Sequence, residues 1–193
     1  MDATLNQTLP PHSSRISFVL VRPSHPGNIG AAARAIKTMG FTDLRVVAPV
    51  DPEYRTHPDA VAFSTSSVDV LTDSRDYPTL EEALTDVALP FAMTGYSRRF
   101  GPALETMRES ADRASLWAEE NKAPGIAFVF GCERSGLTNE EVGLCRFATA
   151  IPANPLSQSL NLAQAVQIAA YEMHMALLQR AHAAGLYGWQ QRF

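Results

Sequence analysis

Cysteine is scarce in this chain. Cys132 and Cys145 are the only two, which excludes a disulfide framework and a cysteine-based metal cluster and suits reduced thiols in a cytosolic protein. No run of about 18 apolar residues occurs, so no segment reads as a membrane span, and no charged stretch followed by an apolar one marks a secretory leader. Internal repeats and low-complexity segments are missing as well. Net positive charge is lacking: the 193 residues carry a formal charge of −4 with a pI near 5.7, whereas a nucleic-acid-binding domain usually has a basic bias. Lysine is nearly missing, since only Lys37 and Lys122 are not arginine among the 16 basic residues. Arginine presents a planar fork to phosphate and stacks on bases, and binding depends on where charge lies rather than on its sum. Composition therefore leaves nucleic-acid binding open. It points to a soluble cytoplasmic protein with no metal and no membrane partner.

With 46% hydrophobic residues, the chain is long enough for one domain with a substantial core. Residues 1–14 are polar with Pro10-Pro11 and read as a flexible tail; residues 15–193 read as the single domain. Apolar β-rich runs lie at Ile16–Val21, Leu44–Val47, Phe91–Thr94, Ala127–Phe130 and Ala148–Ile151. Helical patterns lie at Ile29–Met39, Leu80–Thr85, Leu104–Glu120, Asn139–Cys145 and Leu160–Ala184. Strands alternating with helices predict an α/β domain with a mainly parallel sheet flanked by helices. Gly40 is placed to close the first helix, Thr138 and Glu141 have capping-box spacing, and Pro49–Pro58 reads as a loop. The last helix contains only Glu172 and Arg180 as Asp, Glu, Lys or Arg. Its apolar character over more than one face predicts burial on most sides, either inside a monomer or between the sheet and a second subunit, with the second favoured.

Three strand-to-helix junctions carry the chemistry. In the first, Pro26-Gly27-Asn28-Ile29-Gly30 opens a helix whose free N–H groups suit an anion. The spacing is not Gly-x-Gly-x-x-Gly and no acidic residue follows as a dinucleotide site requires, so a nicotinamide-type oxidoreductase is a weak reading. Arg34 sits about one turn into this helix among small residues, where it either folds back toward a ligand or forms an ordinary surface ion pair. The second junction is Phe130-Gly131-Cys132-Glu133-Arg134-Ser135-Gly136-Leu137. The third runs from Ile151-Pro152 to Ser159-Leu160-Asn161-Leu162. Another loop, Thr94-Gly95-Tyr96-Ser97-Arg98-Arg99, follows a further strand. Glycines there permit close approach by a ligand or an adjoining loop; Glu133 is a loop-stabilising acid or a site residue, and Ser159 and Asn161 are helix caps, pocket residues or both.

Together these motifs resemble the SPOUT superfamily in its SpoU/TrmH-type branch of RNA ribose 2′-O-methyltransferases, and most closely the TrmJ-like members, over Ile16 to about Leu178. The resemblance implies S-adenosylmethionine as methyl donor, tRNA more than rRNA as substrate, a homodimer, and a C-terminal trefoil knot. It places catalytic roles on Arg34, Asn28, Glu133, Ser159 and Asn161, with Asn28 organising the turn and Arg34 acting on the ribose hydroxyl. Cofactor contacts fall on Thr94, Gly95, Tyr96, Gly131, Ile151, Gln158, Ser159 and Leu160. Where relatives often carry a Thr-Ser-Ala-Arg-like segment and a serine, this chain has Thr94-Gly95-Tyr96-Ser97 and Gln158. It ends at Phe193, without the C-terminal extension of longer TrmJ-like enzymes. A non-catalytic RNA-binding protein with the same fold is the alternative.

Overall fold

A computed structural model describes residues 9–95, 101–121 and 125–185. In chain order the main elements are β1 Ile16–Val21, α1 Pro26–Thr38, β2 Asp43–Val47, α2 Pro58–Ser64, α3 Val68–Thr72, β3 Arg75–Tyr77 and α4 Leu80–Ala83. There follow β4 Val87–Met93, β5 Leu104–Thr106, α5 Met107–Glu120, β6 Gly125–Phe130, α6 Asn139–Gly143, β7 Phe147–Ala150 and α7 Leu162–Ala183. All seven strands pair in parallel, in the order β3-β2-β1-β6-β4-β7-β5. The expected α/β class with a parallel sheet is what forms.

Parallel strands covered on both faces need apolar residues at consecutive positions, not alternating ones. Every residue of β1 is buried, as are Ile126–Phe130 of β6. The two faces are nevertheless unlike. Phe18, Leu20, Phe91, Ile126, Phe128 and Phe130 form one core with the inner sides of α1, α5 and α7. Phe91 stacks on Phe128 at 5.1 Å between ring centroids and on Phe147 at 5.4 Å. Each fully buried ring there contributes on the order of 1.5–3 kcal/mol. The opposite core holds smaller side chains, Val19, Val21, Ala92, Ala127 and Val129, under α4, Leu137 and α6. Cys145 lies in this second core, where burial pushes its thiol up to about 12, and both cysteines are free.

Boundaries follow local chemistry. Gly40 ends α1 with φ of 83°, as its position suggests. Thr138 and Glu141 form the expected capping box of α6. Thr106 and Glu109 form a second one that starts α5 at Met107. Leu104–Thr106, expected to be helical, is therefore left extended and pairs with β7 at the sheet edge. Helices α2 and α3 and strand β3 were not expected; each is seven residues or fewer, and Arg75 and Asp76 of β3 are exposed, so none carries a readable period. Gly30 explains why α2 sits where it does. A Cβ on Gly30 would stand 2.0 Å from the Ala60 carbonyl oxygen, so α1 packs directly on the α2 backbone. Pro10 and Ser13, in the segment read as a tail, are buried.

Helix α7 packs between α1 and α5 over the aromatic core. Its few polar groups are matched to those neighbours: Arg180 donates to Ser115 Oγ at 2.5 Å, Glu172 accepts from Arg108, and His174 Nδ1 lies 2.8 Å from the Met39 carbonyl. Tyr171 remains 48% exposed on its outer side, next to half-buried Ile168 and Met175. No helix among the described residues is long and apolar enough to cross a membrane.

Candidate active site

The loops that leave β4, β6 and β7 converge on one cavity of about 390 Å³, within the range of small-molecule sites. It lies beyond the carboxyl ends of the strands, where open α/β sheets hold ligands. Seven of the eight residues singled out for a cofactor line it: Thr94, Gly95, Gly131, Ile151, Gln158, Ser159 and Leu160. Tyr96 lies outside the described residues. Leu137 lines it as well, and Met93, Phe130, Leu162 and Ala165 add apolar wall, which sequence reasoning missed because these four also read as strand and helix interior.

Backbone geometry shapes this cavity. A Cβ on Gly131 would stand 2.1 Å from the Gly136 carbonyl carbon, and Gly136 has φ of 66°, a conformation that side chains disfavour. The two glycines let the loop double back through a Cys132–Gly136 bridge, in which the Gly136 N–H donates to the Cys132 carbonyl at 2.9 Å. Gly131 is thus required by the adjoining loop. The backbone amides and carbonyls of the doubled loop then face a cavity whose charged lining among the described residues is Glu133 and Arg134.

Glu133 is fully occupied. Its carboxylate accepts from Ser24 N at 2.9 Å, Ser24 Oγ at 2.8 Å, His25 N at 3.3 Å and Asn28 Nδ2 at 2.8 Å. Burial raises its pKa, but the Asn28 and Ser24 donors outweigh that and hold the group at about 2. Neutral donors therefore hold Glu133, and the anion at the entrance to α1 is this carboxylate. Ser24 is the participant that sequence reasoning missed; a hydroxyl two residues before the helix-opening Pro26 was the available signal.

Asn28 extends the chain of hydrogen bonds. Its Oδ1 accepts from Asn161 Nδ2 at 3.0 Å, while Asn161 Oδ1 caps α7 by accepting from Ala163 N at 2.9 Å and Gln164 N at 3.3 Å. Asn28, Glu133 and Asn161 therefore tie the three junctions together. The helix cap and the site residue are the same asparagine, whereas Ser159 faces the cavity and does not cap α7.

Arg34 stands apart from this chain. It is exposed and lines a shallow concavity between α1 and α7 with Asn161, Thr38, Gln164 and Gln167. Its guanidinium makes no hydrogen bond or ion pair among the described residues. The arrangement places a hydrogen-bonded network, centred on an ionised carboxylate with neutral donors, between a ligand cavity and the exposed Arg34, with Asn161 bordering the concavity of Arg34 and Glu133 and Ser159 bordering the cavity.

A parallel α/β sheet with a backbone-lined cavity at its carboxyl edge defines a small-ligand-binding domain of the open-sheet class. More particularly, the chain belongs to the SpoU rRNA methylase family, whose model matches residues 15–171. It is 45% identical over 170 residues to the tRNA (cytidine/uridine-2′-O-)-methyltransferase TrmJ of Yersinia enterocolitica, covering 88% of this chain and 63% of that protein. Similarity to the tRNA (cytidine/uridine/adenosine-2′-O-)-methyltransferase TrmJ of Pseudomonas aeruginosa is 45% over 164 residues, covering 85% and 62%. The crystal structure of a probable methyltransferase from Bordetella pertussis superposes with a TM-score of 0.82 at 48% identity, covering 86% of this chain and 98% of that one. The chain thus spans less than two thirds of the length of these curated relatives.

Proposed function

We propose that the protein transfers a methyl group from S-adenosylmethionine to a ribose 2′-hydroxyl of tRNA, acting in the cytoplasm as a homodimer. The observation that carries this reading is the convergence of Thr94, Gly95, Gly131, Ile151, Gln158, Ser159 and Leu160 on one cavity, bordered by the Asn28–Glu133–Asn161 network, whose Asn161 also lines the concavity that holds Arg34. The cavity suits the cofactor: backbone groups of the doubled loop would hold its adenine, and Leu137, Ile151 and Leu160 would supply apolar wall. When bound, the cofactor supplies an activated methyl group on a sulfonium centre.

The chain's own residues do the rest. A guanidinium offers hydrogen-bond donors and no acceptor, so Arg34 orients the hydroxyl and stabilises the alkoxide that develops as the oxygen is methylated, rather than removing the proton itself. Glu133 does not take that proton either, because its low pKa makes it a poor base and its carboxylate oxygens already accept four hydrogen bonds; the proton passes to solvent water. Its role is to fix Ser24 and Asn28, and through Asn28 the cap of α7. Support for tRNA comes from the activity named for the Yersinia and Pseudomonas relatives. Support for a second copy comes from Ile168, Tyr171 and Met175 on the outer side of α7.

Calorimetry with S-adenosylmethionine, followed by mass spectrometry of nucleosides from tRNA incubated with the protein and cofactor, tests the proposal. A 2′-O-methylated nucleoside that depends on both is expected. Cofactor binding without methyl transfer to any RNA would favour the non-catalytic alternative. Light scattering is expected to give about twice the chain mass of 21.0 kDa; a fully active species of single-chain mass would remove the dimer.

A further inference from the structure

Phe63 is 56% exposed on α2, an unusual position for the largest apolar side chain of a seven-residue helix. Its environment is specific. A Cβ on Gly27 would stand 2.8 Å from Phe63 Cδ2 and 2.9 Å from Cε2, so one ring edge is seated in the notch left by a residue without a side chain. Gly27 is the immediate neighbour of Asn28, and Arg34 lies on the same helix two turns on. Seven residues are close to two helical turns, so Gly27 and Arg34 fall on one stripe of α1. The neighbouring charge is mixed: Asp59 Cβ lies 3.5 Å from the same Gly27 position, and Asp59 is near His57. An acid there disfavours a phosphate and leaves an uncharged planar group as the natural occupant.

We propose that Phe63 is a stacking platform for the base of an unpaired nucleotide adjoining the methylated one in the RNA. This rests on the function proposed above and names how its substrate is held. Sequence-tolerant recognition of unpaired RNA works by stacking splayed bases on aromatic side chains, and a ring already seated along one edge loses little freedom on binding. A second copy of the chain is the less suitable occupant. The outer stripe of α7 belongs to a helix that packs on α1 and α5, whereas Phe63 stands on α2, which packs on α1 and α3.

The test compares wild type with Phe63→Ala, Phe63→Leu and Phe63→Trp, using total tRNA from cells lacking the gene. Filter binding reads tRNA affinity, labelled S-adenosylmethionine reads transfer, and light scattering reads mass. Phe63→Ala is expected to weaken tRNA binding about tenfold, the scale of one lost base stack. It should raise KM for tRNA with kcat, cofactor affinity and mass unchanged. Phe63→Leu should behave like Phe63→Ala, because bulk without a plane does not stack, and Phe63→Trp should bind at least as well as wild type. Equal tRNA affinity in Phe63→Ala, or full function in Phe63→Leu, would overturn the inference. So would a fall in mass, which would assign Phe63 to a subunit contact. If wild type binds tRNA through Phe63 but transfers no methyl group, stacking stands and the catalytic reading fails.

Discussion

Arg45 at the amino edge of the sheet and Arg34 near its carboxyl edge are the same residue put to opposite uses. Arg45 is 3% exposed. It donates to Asp43 Oδ2 at 2.9 Å, to the Ala83 carbonyl at 2.6 Å and to both carboxylate oxygens of Asp86, while Asp43 also accepts from Ser17 Oγ at 2.6 Å and Arg75 at 2.9 Å. Burial lowers the Arg45 pKa, but the Asp86 and Asp43 partners more than reverse this and leave it raised. At the carboxyl edge the carboxylate is again held by a serine, Ser24 on Glu133. There, however, its other partners are neutral, and Arg34 makes no side-chain hydrogen bond or ion pair among the described residues. A charge answered within the fold holds elements together; a charge left unanswered is available to a ligand.

If that contrast is right, substitutions should separate by their effect on stability. Arg45→Met should cost the most, about 3 kcal/mol, near the low end for breaking a buried ion pair because Asp86 is largely exposed. Urea denaturation would show it as a lower midpoint at unchanged slope; an unchanged midpoint would mean that the amino-edge network contributes nothing net. Gly131→Ala should cost about 2 kcal/mol, the overpacking range, because the new methyl group meets the Gly136 backbone. Calorimetry should show cofactor affinity lost with it, and retained affinity would show that the doubled loop does not shape the cavity.

Glu133→Gln should cost less, about 1 kcal/mol at pH 7 once solvent screening of a partly exposed group is allowed for. The sign follows from the lowered pKa. The folded group titrates near 2 and the unfolded one near its ordinary value of about 4.3, so its contribution is full above the unfolded value and is lost as pH falls through that window. Stability of wild type relative to Glu133→Gln should therefore converge between about pH 4.3 and pH 2. A difference that stays constant over that range would contradict the four hydrogen bonds as the source of the low pKa.

The sheet could be read from the chain wherever a strand is long and central. Ile16–Val21 was expected with both boundaries as observed, and Phe91, Phe128 and Ala148 mark the strands that flank the cavity. Short edge strands such as Arg75–Tyr77 were hidden because they bury little and carry polar residues, and Leu104 because its three extended residues adjoin a helix whose start is fixed only by the Thr106 cap. The cavity was legible because its lining is concentrated in loops punctuated by glycine and proline. The partners of Glu133 were not, since Ser24 and Asn28 lie more than a hundred positions away and no local pattern announces a neutral cradle for a carboxylate. Nor could sequence tell that Gly30 serves a helix crossing while Gly131 serves a loop.

The measurement that bears most directly on this contrast is the single-turnover rate of methyl transfer by Arg34→Lys, taken alongside its denaturation midpoint and its affinity for S-adenosylmethionine. Lysine keeps the charge and loses the planar fork. The rate should fall by roughly 10²–10³-fold, the scale of one preorganised donor lost from a developing oxyanion. Stability should stay within about 0.5 kcal/mol of wild type, as for a surface substitution that breaks no internal contact, and cofactor affinity should be unchanged. A near-normal rate, or a loss of stability comparable to that of Arg45→Met, would show that Arg34 serves the fold and that the unengaged arginine is not the reactive one.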